Sequence, residues 1–285
     1  MSLLKSSSDH EVQRLLEMFP LATLKAYWPE LKHGTKAELC GEIASQRNVK
    51  LITEFLATHV SCCKQHVYIR SREIKPKSIP SINLGAGTKI WEDGTDTLHV
   101  LQVVYDVSLA NPVEEATLTF LWPVTVSWTD KHLIVRFVTL EKNVKTYFEN
   151  RSPLLRSRSI DEEPVLSVIG KQAGNPSIAD LHKGIKKLWA DDFVDGIRVQ
   201  YKKSSSTASE FMDPEKRIKE CYPALYAELQ KESWNYALFS LLPSKKQLSV
   251  KAFTVYPTEG RLGFSSFSKG QGDTDHVVRE ILRHN

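Results

Sequence analysis

The period of the apolar residues changes once along this chain, and that change confines it to a helical segment followed by a sheet. Up to about residue 65 the apolar side chains recur every three or four positions. Leu21, Leu24, Tyr27, Trp28 and Leu31 illustrate the stripe, which lies along one side of a helix. Beyond residue 84 the dominant period is two. LHVLQVVYDVSL, ATLTFLWPVTVSW and HLIVRFVTL are rich in valine, threonine and aromatics, the types that fit a pleated, half-buried strand.

Helix starts are marked by chemistry as well as by period. Ser8 with Glu11, and Thr35 with Glu38, match the S/T-x-x-E capping box, in which the hydroxyl accepts a backbone N–H and the glutamate reciprocates. Helices are expected over about 9–18, 21–32, 35–46 and 49–65. In SREIKPKSIPSINLGAGTK prolines, glycines and serines break the period, so a linker is expected at 75–83, between a helical domain at 1–74 and a second domain at 84–285.

In the second part Thr129-Asp130-Lys131 reads as a hairpin turn. A helix is expected near 177–193, a strand at GIRVQYKK, and a helical stretch over 214–231. Strands at NYALFSLLP, LSVKAFTVYP and GRLGFSSF then precede a last helix at about 275–283. SSSTAS at 204–209 is expected to be a mobile loop. The predicted fold class is α+β: a small N-terminal helical bundle, SAP-like or death-fold-like in outline, then a larger antiparallel β-rich domain with flanking helices.

A hydrophobic content of 41% over 285 residues suffices for a buried core. No run of eighteen apolar residues occurs, and MSLLKSSSDH lacks the apolar stretch of a signal peptide. The expectation is an intracellular protein, in cytoplasm, nucleoid or nucleus, with no membrane partner. Cys40, Cys62, Cys63 and Cys221 are too few for a disulfide scaffold and are expected as reduced thiols. The formal net charge is +4; residues 1–79 hold twelve Lys or Arg against eight Asp or Glu, and the remainder balances at 26 each. The whole excess therefore lies in the first quarter, the pattern of a small basic domain joined to a neutral one.

The segment LATLKAYWPELKHGTKAELCGEIA, Leu21 to Ala44, resembles the SAP motif, a helix-extended-helix DNA-binding unit, most specifically at Gly34 to Leu39. The resemblance implies double-stranded DNA as partner. Gly34 would permit the turn and Thr35 would cap the next helix, while Lys32, His33 and Lys36 would surround a phosphate at its N-terminus. The connector is about three residues shorter than the motif's and lacks its Gly-Leu pair; a plain two-helix corner is the other reading of the same residues. Arg70, Arg72, Lys75 and Lys77, with Arg151, Arg156 and Arg158 in RSPLLRSRSIDEEP, could extend a phosphate footprint.

Three other stretches invite chemistry. His59, Cys62, Cys63 and His66 are zinc-ligand types, but on one helix the two histidines would stand ~10 Å apart, so packed thiols are expected. Gly85, Gly87 and Lys89 lack the spacing of a phosphate loop and read as a β-turn. Asp191, Asp195, Gln200 and Lys202 faintly resemble the PD-(D/E)xK set of metal-dependent nucleases, although Asp195 is too near Gln200 to occupy a preceding strand.

In plan, helices followed by a β-rich domain, and in LATLKAYW, VTVSW, RSPLL and DGIRVQYKKSSST, the chain is similar to the centromere protein N family of kinetochore subunits, which read nucleosomal DNA. That similarity implies a chromatin-associated adaptor and assigns no residue a role. The expected function is a non-enzymatic DNA-binding or chromatin-associated adaptor that contacts the phosphate backbone of double-stranded DNA or nucleoprotein through the N-terminal helical domain, with no cofactor. The alternatives are a protein–protein assembly module, in which Trp28, Trp91 and Trp122 mark a partner surface, and a nuclease of the PD-(D/E)xK type.

Overall fold

A computed structural model describes residues 3–32, 34–71, 80–109, 113–140, 161–203, 206–212, 217–242, 248–270 and 272–285. Along the chain lie α1 (Leu3–Ser6), α2 (Asp9–Leu16), α3 (Leu21–Tyr27), α4 (Lys36–Gln46), α5 (Val49–His59), β1 (Gln65–Ser71), β2 (Lys89–Asp93), β3 (Asp96–Leu109), β4 (Glu114–Trp128) and β5 (His132–Val138). These are followed by α6 (Glu163–Gln172), β6 (Ser177–Ile178), α7 (His182–Ala190), β7 (Val194–Lys203), β8 (Ser206–Phe211), α8 (Ile218–Cys221), α9 (Pro223–Lys231), β9 (Trp234–Leu241), β10 (Ala252–Tyr256), β11 (Arg261–Phe264) and α10 (Asp273–Arg283). The fold is α+β, N-terminal helices and then antiparallel strands with flanking helices. None of the described helices is long and apolar enough to cross a membrane.

By contacts the chain divides into two compact units, and the division does not follow the boundary expected at 75–83. The first unit comprises 1–60, 76–128 and 135–175; the second comprises 61–75, 129–134 and 176–285. Of the expected linker, 75–79 lies outside the described residues.

In the first unit both capping boxes form. Ser8 N–H donates to Glu11 Oε2 at 2.6 Å and Glu11 N–H to Ser8 Oγ at 3.3 Å; Thr35 N–H donates to Glu38 Oε2 at 3.1 Å and Glu38 N–H to Thr35 Oγ1 at 3.3 Å. The helices bury an aromatic cluster in which Phe55 meets Phe19 at 4.8 Å and Trp28 at 4.7 Å between ring centroids. They also need the strands. Arg14 on α2 is buried, and its Nε and Nη2 donate to the Thr119 carbonyl of β4 at 3.1 and 2.7 Å. Its guanidinium lies over the Phe120 ring at 5.6 Å, and Gln102 of β3 donates to Glu11 of α2 at 3.2 Å. β3 and β4 form a long hairpin in register from Asp96 opposite Ser127 to Leu109 opposite Glu114.

In the second unit the strand order is β1-β11-β10-β9-β7-β8, with β6 added to β1. Ile185, Leu188 and Trp189 of α7, Leu229 of α9, and Val277, Val278 and Ile281 of α10 form one core with Val67, Ile69, Val199, Tyr201, Ala237, Phe239, Phe253, Val255, Leu262 and Phe264 of the strands. α7 crosses α10 where Gly184 sits; a Cβ there would lie 2.2 Å from the Ile281 carbonyl oxygen, so the close approach requires glycine.

Several expectations are corrected in detail. The helix foreseen to 65 ends at His59, and Gln65–Ser71 is a strand. The loop foreseen at 204–209 includes most of β8, and α6 was not foreseen. Residues 85–88 do form a turn, with Gly85 at φ 124° and Gly87 at φ 73°.

Two outcomes are expected. Arg14→Ala should lower unfolding free energy by about 2–3 kcal/mol, because it removes two charge-assisted hydrogen bonds and a buried stem, and Arg14→Lys should recover only part of that; urea melts read this. His99 of β3 is fully buried, and burial, reinforced by Lys89, pushes its pKa down to about 4 from 6.5. Above pH 6.5 the ring is neutral in both states and contributes no pH dependence. As pH falls from 6.5 to about 4 the unfolded chain takes up the proton first, so stability drops across that window. The difference between wild type and His99→Gln in urea midpoint at pH 7.5 and pH 4.5 isolates the effect.

Candidate nucleic-acid interface

The Gly34-Thr35-Lys36 corner is well built, and its own chain takes two of its N–H groups. Lys36 is the first residue of α4 and Thr35 its cap, with Gly34 exposed before them. The N–H groups and the positive end of a helix dipole would attract a phosphate there. Glu38 already lies at that end, accepting from Thr35 N–H, so an arriving phosphate would meet a carboxylate. Lys32 is exposed, and His33 lies outside the described residues.

Charge points the same way. Residues 1–60 hold seven Lys or Arg and seven Asp or Glu, so the excess of the first quarter resides in 61–79, which carries Lys64, Arg70, Arg72, Lys75 and Lys77 against Glu73. Arg72, Lys75, Lys77, Arg151, Arg156 and Arg158 lie outside the described residues. Arg70 is on β1, in the second unit, with its guanidinium 5.8 Å from the Tyr68 ring centroid and Nη1 donating to the Glu259 carbonyl at 3.2 Å. Lys32, Gly34, Thr35 and Lys36 belong to the first unit, so the predicted footprint is divided between the two.

The second unit offers a surface that the sequence reading missed. Its core helices lie on one face of the sheet. On the opposite face, alternate residues of six strands stand in rows. Across the first row Tyr68 of β1 is opposite Arg261 of β11, which is opposite Tyr256 of β10; the Tyr256 and Tyr236 rings meet at 5.2 Å, and Tyr236 of β9 is opposite Gln200 of β7, itself opposite Ser209 of β8. The second row runs His66, Gly263, Thr254, Leu238, Arg198, Phe211. Neither row contains a carboxylate. Arg70 and Lys202 flank them.

The cations are held by rings. Arg261 sits over the Tyr256 ring at 3.7 Å and takes Glu259 as ion-pair partner at 3.0 Å. Arg198 lies over Phe211 at 4.4 Å and Tyr236 at 5.7 Å, with Nε donating to Ser209 Oγ at 3.2 Å. A guanidinium spread over an aromatic ring keeps its charge while its orientation is fixed. Burial raises the Tyr236 phenol above its ordinary pKa, as does Tyr256, with Arg198 opposing. The Tyr236 phenol therefore stays a neutral donor at physiological pH. Phe211 is 72% exposed.

The remaining candidates do not assemble. Asp191 pairs with Lys187, and Asp192, with Arg217 at 2.5 Å, is held below the usual carboxylate range chiefly by its hydrogen bond from Lys219. Asp195 accepts from Trp189 Nε1 at 2.9 Å, and it stands seven residues before Lys202 on the same strand, roughly 20 Å away at strand rise. The two-strand arrangement of the nuclease pattern is not reproduced. Among the described residues no three His, Cys, Asp or Glu side chains gather as metal ligands; Cys62 and Cys63 are buried, and burial pushes the Cys62 thiol up to about 11. Trp28 and Trp122 are core residues, Trp122 donating to the Val138 carbonyl at 2.8 Å, so they present no partner surface.

Comparison with protein-family models, with curated proteins and with solved structures gave no match to this chain.

Proposed function

We propose that the chain is a nucleic-acid-binding adaptor that holds phosphates on the face of the second unit's sheet opposite α7, α9 and α10. The observation that carries the reading is the two-row ladder, in which Arg198 and Arg261 are oriented by Phe211 and Tyr256 and no carboxylate interrupts the rows. Four cations, Arg70 on β1, Arg261 on β11 and Arg198 and Lys202 on β7, spread across the sheet and suit a chain of phosphates better than a single small anion. Relative to the expectation from sequence, the anchor moves from the α4 corner to the sheet.

Protein assembly is a second reading, favoured by β8. Its sequence STASEF carries one charge, it pairs only with β7 among the described strands, and its Phe211 is largely exposed. An edge of that kind can accept another strand.

The test is a binding titration across salt concentrations with a duplex and a single strand of random sequence. Arg198→Glu with Arg261→Glu should weaken binding on every sequence and reduce the slope of log affinity against log salt by about 2. Lys36→Glu should leave both unchanged. The reverse pattern would return the anchor to the helix corner, and absence of binding to either probe would leave the β8 edge as the functional surface.

A further inference from the structure

We infer that the ligand of this face is single-stranded nucleic acid, with bases stacked on the surface made by Tyr256, Tyr236 and the guanidinium of Arg261; this rests on the nucleic-acid reading above. A duplex turns its phosphates outward and keeps its bases stacked on one another, so it can satisfy arginines but gives rings nothing to stack upon. Here the rings lie at the centre of the face. Tyr236 and Tyr256 are on the adjacent strands β9 and β10, their centroids 5.2 Å apart, with the planes inclined at 65°. The Arg261 guanidinium over Tyr256 is itself a planar cation on which a base can lie.

The order across the sheet is what a single strand needs. Tyr68, Arg261 over Tyr256, Tyr236, and Arg198 beside Phe211 alternate π surface with positive charge from β1 to β8, five inter-strand steps, or ~24 Å. Successive bases of an unpaired strand can splay onto the rings while its phosphates pass the arginines. Gln200, Thr254 and Ser209 lie between them and offer hydrogen bonds to sugar and base edges. Stacking of this kind is tolerant of sequence, because every base has a π face. The nearest carboxylate on β7, Asp195, is taken by Trp189 Nε1 at 2.9 Å and by the Gly196 N–H at 3.0 Å.

The experiment measures fluorescence anisotropy of the full chain with labelled dT20 and with the dA20·dT20 duplex at one salt concentration. The expected result is at least ten-fold tighter binding of the single strand. Tyr236→Ala with Tyr256→Ala should weaken dT20 roughly thirty-fold or more, given the usual contribution of a stacked base, and should barely change the duplex. Tyr236→Phe with Tyr256→Phe keeps the rings and should bind dT20 nearly as wild type does. Circular dichroism on each variant checks that the sheet is intact; if the alanine pair unfolds, the single alanine variants replace it. Equal or tighter duplex binding, or alanine variants that leave dT20 binding unchanged, would overturn the single-strand inference while phosphate binding stood. No binding of either probe would overturn both.

Discussion

The second unit depends on the packing of α7, α9 and α10 against one face of its sheet. Trp189 of α7 is the knot of that cover. Its ring meets Trp234 at 5.6 Å, Phe239 at 5.3 Å and Tyr226 at 5.1 Å, while its Nε1 donates to Asp195. Trp234 is tied in turn to α9 through the Leu229 carbonyl at 2.8 Å. Large rings buried with their N–H groups satisfied contribute much of a core and fix where the helices lie. With α7, α9 and α10 on that face, period-two alternation leaves the residues between Val67, Ile69, Ala237, Phe239, Phe253 and Val255 pointing the other way. A sheet face of Tyr, Arg, Thr, Gln and His is neither core nor an inert charged surface.

Local chemistry also shapes the α4 corner. A helix N-terminus binds an anion best when its N–H groups and its dipole are unclaimed. The capping box claims two of them from within, the N–H groups of Thr35 and Glu38, and sets the Glu38 carboxylate at that end. The residues that made the segment resemble a DNA-binding motif are thus the residues that stabilise α4. In the first unit positive charge serves structure as well: Arg14 holds β4, and Arg47 pairs with Asp9 at 2.5 Å.

Much of the fold was legible because periodicity and capping are local. The two capping boxes, the 129–131 turn, β3, β4, β7, β9, β10 and the last helix all follow from patterns shorter than fifteen residues. β1 was missed because QHVYIRS adjoins a helix with apolar residues of its own, although Val67 and Ile69 alternate with Tyr68 and Arg70 and could have flagged it. The two rows were not legible at all. It draws single residues from six strands spread from His66 to Gly263, and only the registers bring them into rows. Counting charge by quarters of the sequence led to the helices for the same reason, since Lys64 and Arg70 belong with strands 190 residues further on.

The most direct test of where this protein binds is hydroxyl-radical footprinting of the full chain with and without bound oligonucleotide, read residue by residue by mass spectrometry. Tyrosine and phenylalanine oxidise readily, and the proposed surface carries Tyr68, Phe211, Tyr236 and Tyr256. The account predicts protection of these four on binding, with Leu31 and the residues around Thr35 oxidised equally in both samples. Protection confined to residues 31–38, with the four sheet aromatics unchanged, would contradict it.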